Sequence, residues 1–253
     1  MVAKQPVLVS AHRCGAGDDP LGENSLHALE HSVALGVDFV EFDVRRRADG
    51  HLIVAHDLPD DGVEVLAYDA LLDTLGDRAG AHIDLKFGSP DELYDSLGAC
   101  WEVEVVKRAL KRLPAERIVA TSGRERGVRA LREWAESEGI PLNVGLSIGS
   151  SLRGLGVRRA VRSLFRQLAP EQRFARSRAN VVCANHGLAL VRLRRFARKH
   201  RMRLMVWTVD EAALLRWWTR PGSAWMVVTN HPALALRDRR RYAASGRRRS
   251  RGV

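Results

Sequence analysis

The sequence lacks the features that mark several large classes of protein. Its 253 residues contain only three cysteines, Cys14, Cys100 and Cys183, which are far apart and form no CxxC spacing. An odd, scattered set argues against a disulfide framework and against a zinc ribbon. No segment approaches the roughly 18 to 20 consecutive apolar residues of a membrane helix, and the opening residues hold only a short apolar run. We therefore expect a protein of a reducing, cytoplasmic setting without a signal peptide or a membrane span.

What is present is sufficient for a globular fold. Apolar side chains make up 45% of the chain. A chain of this length and composition can bury a core for one large domain or two small ones without covalent staples. A peptide, a fibre and a disordered tail are excluded.

The charge of the chain is unevenly distributed. Residues 1–150 carry 16 basic and 26 acidic groups, 151–203 carry 15 and 1, 204–236 carry two of each, and 237–253 carry 8 and 1. The acidic part could gather a cation, whereas the basic part and the Arg-rich tail could attract phosphate, a lipid surface or nucleic acid. An ordinary solvated surface is the alternative, and the composition leaves both open.

Short β-branched or apolar runs alternate with segments of helical period, a pattern typical of βα units around a parallel sheet. The eight runs are Pro6–Ala11, Val37–Val44, Ala81–Lys86, Arg117–Thr121, Leu142–Ser147, Asn180–Cys183, Arg203–Val209 and Trp225–Thr229. Helices are predicted near residues 25–35, 91–112, 124–137, 151–168, 188–200, 210–219 and 232–244. An extra short strand over His51–Ala55 and a brief helix over Asp69–Leu75 complete the prediction.

Eight βα repeats in about 250 residues predict a closed (β/α)8 TIM barrel, which is an α/β fold. We expect a single barrel domain over residues 1–236 and an Arg-rich C-terminal tail over residues 237–253. An open doubly wound sheet is the alternative. It is disfavoured because the first turn, His12–Gly17, is not GxGxxG and places an arginine where phosphate-binding glycines are needed.

Polar residues cluster where the predicted strands end, and in a barrel those ends converge on one face. Side chains two apart on a strand point to the same face, so Glu41 pairs with Asp43, and Asp84 with Lys86. The clustered residues are His12, Arg13, Glu41, Asp43, His56, Asp57, Asp84 and Lys86. These residues are therefore candidates for one site.

Three carboxylates facing one cavity would repel each other unless a cation lay among them. An all-oxygen ligand set formed by Glu41, Asp43 and Asp84 favours Mg²⁺ or Ca²⁺ over zinc. The alternative is that Glu41 and Asp43 only form ion pairs with the basic run Arg45–Arg47.

Two histidines near such an ion suit proton transfer. An unperturbed pKa of about 6.5 lets one of His12 and His56 accept a proton while the other donates one. Arg13 and Lys86 bring the positive charge that a phosphoryl group demands, unless they form ordinary salt bridges. The other seven histidines have no comparable carboxylate neighbours, and we expect them in surface, capping or core positions.

These motifs carry a resemblance to a known family. The segment HRCGAGDDPLGENSLHALEHSVALGVDFVEFDVRRRADGHLIVAHD, followed by HIDLK, closely resembles the glycerophosphodiester phosphodiesterase family of (β/α)8 barrels. Later segments, TSGRERGVRAL, MRLMVWTVDEAALLRWW and WMVVTNHP, resemble its fourth, seventh and eighth strands. The order of the HR, ExD and HD motifs and a final carboxylate-x-Lys motif is far more specific than any one of them alone.

The resemblance implies a metal-dependent phosphodiester hydrolase that releases an alcohol and glycerol 3-phosphate by histidine acid and base catalysis. It implies metal ligands at Glu41, Asp43 and Asp84, an acid and a base at His12 and His56, and substrate or phosphate contacts from Arg13, Lys86, Ser122 and Trp207. The alternatives are a phospholipase D-like enzyme acting on lysophospholipids and a weakly active barrel that binds anionic partners. The basic tail could add weak contacts with anionic membranes or nucleic acid.

The chain also departs from the family pattern. The third metal ligand is usually glutamate, and Asp84 is one methylene shorter. A usual TDxP motif reads Thr229-Asn230-His231-Pro232. Asp84 lies only 27 positions after Asp57, too close for the cap insertion typical of glycerol-specific members. An uncapped mouth predicts that larger diesters such as lysophospholipids can enter.

Overall fold

The structure is a computed structural model that describes residues 5–60, 63–149 and 169–250, with side chains described up to residue 243. In these ranges eight parallel strands form a closed barrel, in the order β1, β2, β4, β5, β6, β7, β8, β9. Their bounds are Leu8–Ala11 (β1), Phe39–Arg46 (β2), Gly80–Leu85 (β4), Ile118–Ser122 (β5), Asn143–Ile148 (β6), Val181–Asn185 (β7), Arg203–Trp207 (β8) and Met226–Thr229 (β9). Because β1 pairs with both β2 and β9, the barrel prediction is confirmed and the open-sheet alternative is wrong.

The extra strand β3 (Leu52–Val54) is also present. It pairs antiparallel with the end of β2, where Val44 lies opposite Val54. The backbone N–H of Ala55 then donates to the carbonyl oxygen of Asp43 at 3.0 Å. The hairpin thereby carries the next residue, His56, to the end of β2.

Helices flank the barrel strands. They are α1 (Leu26–Leu35), α2 (Tyr68–Leu75), α3 (Trp101–Leu110), α4 (Glu125–Ser137), α5 (Pro170–Ser177), α6 (His186–Leu188), α7 (Arg194–Lys199), α8 (Ala212–Trp218) and α9 (Pro232–Ser250), with a π-helical turn, Ala189–Leu193, between α6 and α7. The sequence did not predict α5, and the helix predicted over 151–168 lies outside the described residues.

The helix predicted over 91–112 begins only at Trp101. The buried carboxylate of Glu102 accepts hydrogen bonds from the Ser89 hydroxyl and from the Tyr94 hydroxyl, the latter at 2.6 Å. These bonds hold the preceding segment as two 3-10 turns instead of α-helix, since side-chain acceptors compete with helical hydrogen bonds.

Local signals define α1, which follows the first site residues. The Ser25 hydroxyl accepts the backbone N–H of Ala28 at 3.2 Å and caps the N-terminus. Gly36 ends the helix in the left-handed conformation, at φ 78°.

The core has two layers. The larger layer lies between the strands and the helices, which is why β5 is buried along its whole length. A smaller apolar cluster fills the barrel interior and consists of Phe39, Val119, Val181, Cys183, Met205, Met226 and Val228. The barrel is therefore packed, and the predicted site residues lie towards the carboxyl ends of the strands.

The last helix crosses the boundary that we placed after residue 236. Within α9, Asp238 is fully buried and Arg239 forms an ion pair with Asp38. The division into barrel and tail stays a prediction, but the first turns of α9 pack on the barrel. Over the described ranges, no helix combines the length and apolarity needed to cross a bilayer. The three cysteines are free and buried.

Candidate active site

A cavity of about 350 Å³ opens at the carboxyl ends of the barrel strands. Seven of the nine predicted site residues line it: His12, Arg13, Glu41, His56, Asp84, Lys86 and Trp207. Asp43 lies just behind the wall, with its side chain 1% exposed. Ser122 does not line the cavity.

The acidic cluster sits on adjacent strands. Asp43 on β2 lies opposite Asp84 on β4, and Glu41 is two residues before Asp43 on the same face. One oxygen of each of these three carboxylates lies within 4.8 Å of the others. Burial, followed by repulsion from Asp43 and Asp84, raises the pKa of Glu41 well above its usual range.

Two cations partly balance this charge. Lys86 Nζ is 2.9 Å from Asp43 Oδ1 and 2.5 Å from Asp84 Oδ2, and Arg13 Nε is 3.3 Å from Asp43 Oδ2. Burial opposes ionisation of Lys86, but attraction to Asp84 and then to Asp43 outweighs it and raises the pKa of Lys86. Burial likewise opposes ionisation of Asp43, but attraction to Lys86 and the hydrogen bond from Asn24 outweigh it and lower the pKa of Asp43.

Glu41 receives the least compensation. Its carboxylate accepts the backbone N–H of Arg13 at 2.6 Å. The alternative pairing with the basic run is not observed, because Arg45 and Arg46 contact Asp57 and Glu104 instead. A close, oxygen-only trio with a surplus of negative charge fits a divalent metal ion.

The turn after β1 brings Arg13 to the cluster. Arg13 (φ 46°) and Cys14 (φ 67°) both adopt the left-handed conformation, which is uncommon for residues with a side chain. This turn directs the backbone N–H of Arg13 at the Glu41 carboxylate. The Arg13 guanidinium donates a hydrogen bond to the Glu23 carboxylate at 2.6 Å. Cys14 therefore takes a conformation that glycine adopts more readily than residues with a side chain.

The two predicted catalytic histidines lie in different environments. His12 Nδ1 is 2.8 Å from Asn230 Oδ1, and burial lowers the pKa of His12. The His56 side chain is 40% exposed at the mouth, with Nδ1 3.0 Å from Asp57 Oδ2. The buried ring is thus biased towards the neutral form.

Sequence reasoning missed His82. This residue lies inside the barrel beneath the acidic cluster, with Nδ1 3.3 Å from the Ser10 hydroxyl and Nε2 3.2 Å from that of Thr121. Complete burial lowers its pKa to about 3. Alternation along β4 could have found it, because positions 82 and 84 share a face.

Strand alternation also explains the position of Ser122. Its hydroxyl donates to the Leu85 carbonyl at 3.1 Å and accepts the Arg124 N–H at 3.2 Å, so the expectation that it faces the cavity is wrong. The preceding residue, Thr121, lines the cavity and donates to Asp84 Oδ1 at 2.7 Å. Trp207 does line the cavity, and its buried indole N–H has no hydrogen-bond partner among the described residues.

Comparison with known proteins identifies one family that matches more than half of the chain. Residues 12–152 match the glycerophosphoryl diester phosphodiesterase family, a span that includes the whole acidic cluster and both histidines. Mouse lysophospholipase D GDPD3 is 40% identical over 52 residues, and a glycerophosphodiester phosphodiesterase of Caldanaerobacter subterraneus is 44% identical over 50 residues. These segments are 21% and 20% of this chain, and only 15% and 20% of the two curated relatives.

A solved structure matches over nearly the whole chain. It is a glycerophosphodiester phosphodiesterase from Parabacteroides distasonis, with a TM-score of 0.69 at 18% identity, covering 95% of this chain and all of that one. At this identity the likeness supports the barrel fold alone.

Proposed function

Since the chain belongs to the glycerophosphoryl diester phosphodiesterase family, we propose that it hydrolyses glycerophosphodiesters to an alcohol and glycerol 3-phosphate. The observation that carries this proposal is the convergence of three carboxylate oxygens within 4.8 Å at a cavity that two histidines, Arg13 and Lys86 also line. A barrel that only binds anionic partners would have no need for such a set.

The acidic cluster would hold the metal. Carboxylate oxygens alone favour Mg²⁺ or Ca²⁺, and the shorter side chain of Asp84 leaves room for water on that side. When bound, a divalent ion would supply positive charge that balances the carboxylates and stabilises the charge developing on a phosphoryl oxygen. Arg13 and Lys86, at the edge of the cluster, would bind the non-bridging oxygens.

The two histidines divide the proton transfers. The buried, neutral His12 takes the proton of the attacking hydroxyl, which belongs to water or to the neighbouring hydroxyl of the substrate. His56, at the mouth, donates a proton to the leaving alcohol oxygen as the P–O bond breaks. When the substrate's own hydroxyl attacks, a cyclic phosphate forms, and water opens it with the two roles reversed.

The test is release of alcohol and glycerol 3-phosphate from a panel of glycerophosphodiesters, with and without chelator. Turnover should vanish in excess EDTA and return with Mg²⁺ or Ca²⁺. Full turnover in EDTA, or no release from any diester by the folded, metal-loaded protein, would overturn the proposal.

A second groove favours lysophospholipids as additional substrates. This groove of about 490 Å³ shares His56 with the catalytic cavity. Its lining combines the polar residues Glu23, Asn24, Ser25 and Glu64 with apolar ones, which are Pro20, Leu21, Leu26, Val54, Ala55, Val65 and Leu66. Leu21 is 94% exposed, so its side chain is open to contact with an apolar partner. An acyl chain could lie here while the phosphate occupies the catalytic cavity.

Comparing kcat/KM for glycerophosphocholine and lysophosphatidylcholine below its micelle threshold tests this second substrate. Comparable values are expected, and Leu21→Ser should lower only the value for the lysolipid. A preference of about a hundredfold for the small diester, equal to about 2.7 kcal/mol, would exclude lysophospholipids as comparable substrates.

A further inference from the structure

Barrel closure connects His12 to a polar chain at the end of β9. Because Ala11 on β1 lies opposite Thr229 on β9, the two residues that follow these strands, His12 and Asn230, are neighbours. Their hydrogen bond joins His12 Nδ1 and Asn230 Oδ1 at 2.8 Å. The nitrogen bound in this way is not the one available to a ligand in the cavity.

Asp210 fixes the orientation of the Asn230 amide. Asp210 Oδ1 accepts the backbone N–H of Asn230 at 2.9 Å and the Thr229 hydroxyl at 3.1 Å, and its Oδ2 lies 3.0 Å from Asn230 Nδ2. An ionised carboxylate can only accept hydrogen bonds. The NH₂ end of the amide must therefore face Asp210, which leaves the carbonyl end facing His12.

An amide oxygen also can only accept a hydrogen bond, so the bond to His12 requires a proton on Nδ1. In the neutral ring, the lone pair is then on Nε2. We propose that Asp210 and Asn230 are positioning residues that hold neutral His12 as the Nδ1–H tautomer, with Nε2 as the proton acceptor in the cavity. The catalytic meaning of this tautomer rests on the proposed function, in which His12 is the base.

The Asn230 amide also affects the charge of the His12 ring. It separates the charge of Asp210 from the ring, whereas a carboxylate directly on Nδ1 would favour the imidazolium form. The other charged or titratable groups that act on His12 are Arg13, Asp43 and His82. Asparagine at position 230, where the family pattern has aspartate, thus keeps the orienting bond while favouring a neutral base.

The substitution Asp210→Asn tests the proposal with almost no change in shape. The backbone N–H of Asn230 still needs an acceptor, so the new amide must keep its oxygen there and turn its NH₂ group towards the Asn230 side chain. Two facing NH₂ groups cannot bond, and the Asn230 amide should flip. Its NH₂ would then donate to His12 Nδ1, which moves the ring proton to Nε2.

The readout is the ¹⁵N spectrum of the full-length protein labelled at histidine, in EDTA and at about pH 8, where a neutral ring is expected. The His12 signals are assigned with His12→Gln. The wild type should show a protonated Nδ1, and Asp210→Asn a protonated Nε2. With diesters as substrates, kcat should fall roughly 10²- to 10⁴-fold in Asp210→Asn while KM changes little.

Exchanging the side chains at positions 210 and 230 should restore the wild-type tautomer of His12. Combining Asp210→Asn with Asn230→Asp places the amide and the carboxylate in exchanged positions, so an oxygen at position 230 can again accept a hydrogen bond from His12 Nδ1–H. The double variant should regain the Nδ1–H tautomer and most of kcat, to within about tenfold of wild type. Thr229→Val, which removes a different bond to Asp210, should leave the tautomer unchanged.

A protonated Nε2 in the wild type, or an unchanged Nδ1–H tautomer in folded Asp210→Asn, would overturn the proposal. If Asp210→Asn does not fold, Asn230→Ala serves instead and should give a mixture of tautomers; a pure Nδ1–H form there would also overturn it. The spectrum requires no turnover. An inactive wild type with the expected tautomers would therefore contradict the proposed function and leave the tautomer assignment standing.

Discussion

Two arcs of the barrel line the same cavity with opposite chemistry. The charged arc comprises β1, β2 and β4 and presents His12, Arg13, Glu41, Asp84 and Lys86. The neutral arc comprises β6, β7 and β8 and presents small or uncharged residues: Ser147, Gly149, Cys183 and Trp207. In the charged arc Lys86 forms ion pairs with Asp43 and Asp84, whereas the Trp207 indole N–H has no hydrogen-bond partner among the described residues.

On the proposed function, this difference would separate the groups that act on phosphorus from the wall that selects the substrate. Groups that act on phosphorus must be held in place and at a defined charge, and the ion pairs of the charged arc would do this. A wall that only accommodates the alcohol needs shape and little else, so it can vary without disturbing the reaction. The following changes test how strictly the two arcs divide these tasks.

Loss of either histidine should have the largest effect. His12→Ala and His56→Ala should each lower kcat roughly 10²- to 10⁴-fold, because general acids and bases contribute about that much. Because the proposed mechanism uses both histidines in one step, kcat of the double variant should be little lower than that of the worse single variant. The exposed His51, 78% accessible and away from the cavity, supplies the control: His51→Ala should be silent. A double variant whose loss in kcat equals the product of the two single losses would show that the two act independently.

Next in size is the loss of one carboxylate. Asp43→Asn preserves shape but removes a charge from the cluster, so metal affinity should fall, and activity with it by about 10²- to 10³-fold. Titration calorimetry with Mg²⁺ and Ca²⁺ measures the affinity. Asp49→Asn, at an exposed turn, is the matched control. Unchanged metal binding in folded Asp43→Asn would remove Asp43 from the ligand set.

A change in the neutral arc should alter selection alone. Trp207→Ala enlarges the cavity and should raise kcat/KM for a bulky diester relative to a small one by about tenfold, while metal affinity stays constant. Trp207→Phe keeps a ring there and should shift the ratio less. A parallel loss on both substrates of more than about a hundredfold would place Trp207 with the chemistry and break the division between the arcs.

The smallest effect on turnover should come from the floor of the charged arc, where His82 affects stability. Its folded pKa, about 3, lies below the ordinary 6.5, so the unfolded chain takes up the proton first. The contribution of neutral His82 to the free energy of unfolding is present above pH 6.5 and is lost as the pH falls towards 3. The free energy of unfolding should fall by up to about 1.4 kcal/mol per pH unit over this range. His82→Gln can keep bonds to Ser10 and Thr121 and should lose less stability over this range. Urea unfolding in EDTA compares the slopes, and equal slopes would contradict the assignment.

Much of the charged arc was predictable because its signals are local. The two-residue spacing on β2 and on β4 placed Glu41 with Asp43 and Asp84 with Lys86, and the structure has both pairs on one face. The sequence analysis misplaced two residues of the site, and both errors concern the alternation of side chains between the two faces of a strand. Ser122 was assigned by resemblance although Thr121 is the residue that faces inwards, and His82 was set aside although it shares a face with Asp84.

The sequence by itself determined the barrel and the strands that carry its polar groups, since hydrophobic periodicity and residue spacing are properties of neighbouring residues. Only the tertiary structure decided which groups meet. The bond between His12 and Asn230 spans 218 positions and exists because β1 closes against β9. The low pKa of His82 likewise arises from burial inside the closed barrel. Proton positions at the site follow from such long-range contacts, which no local pattern encodes.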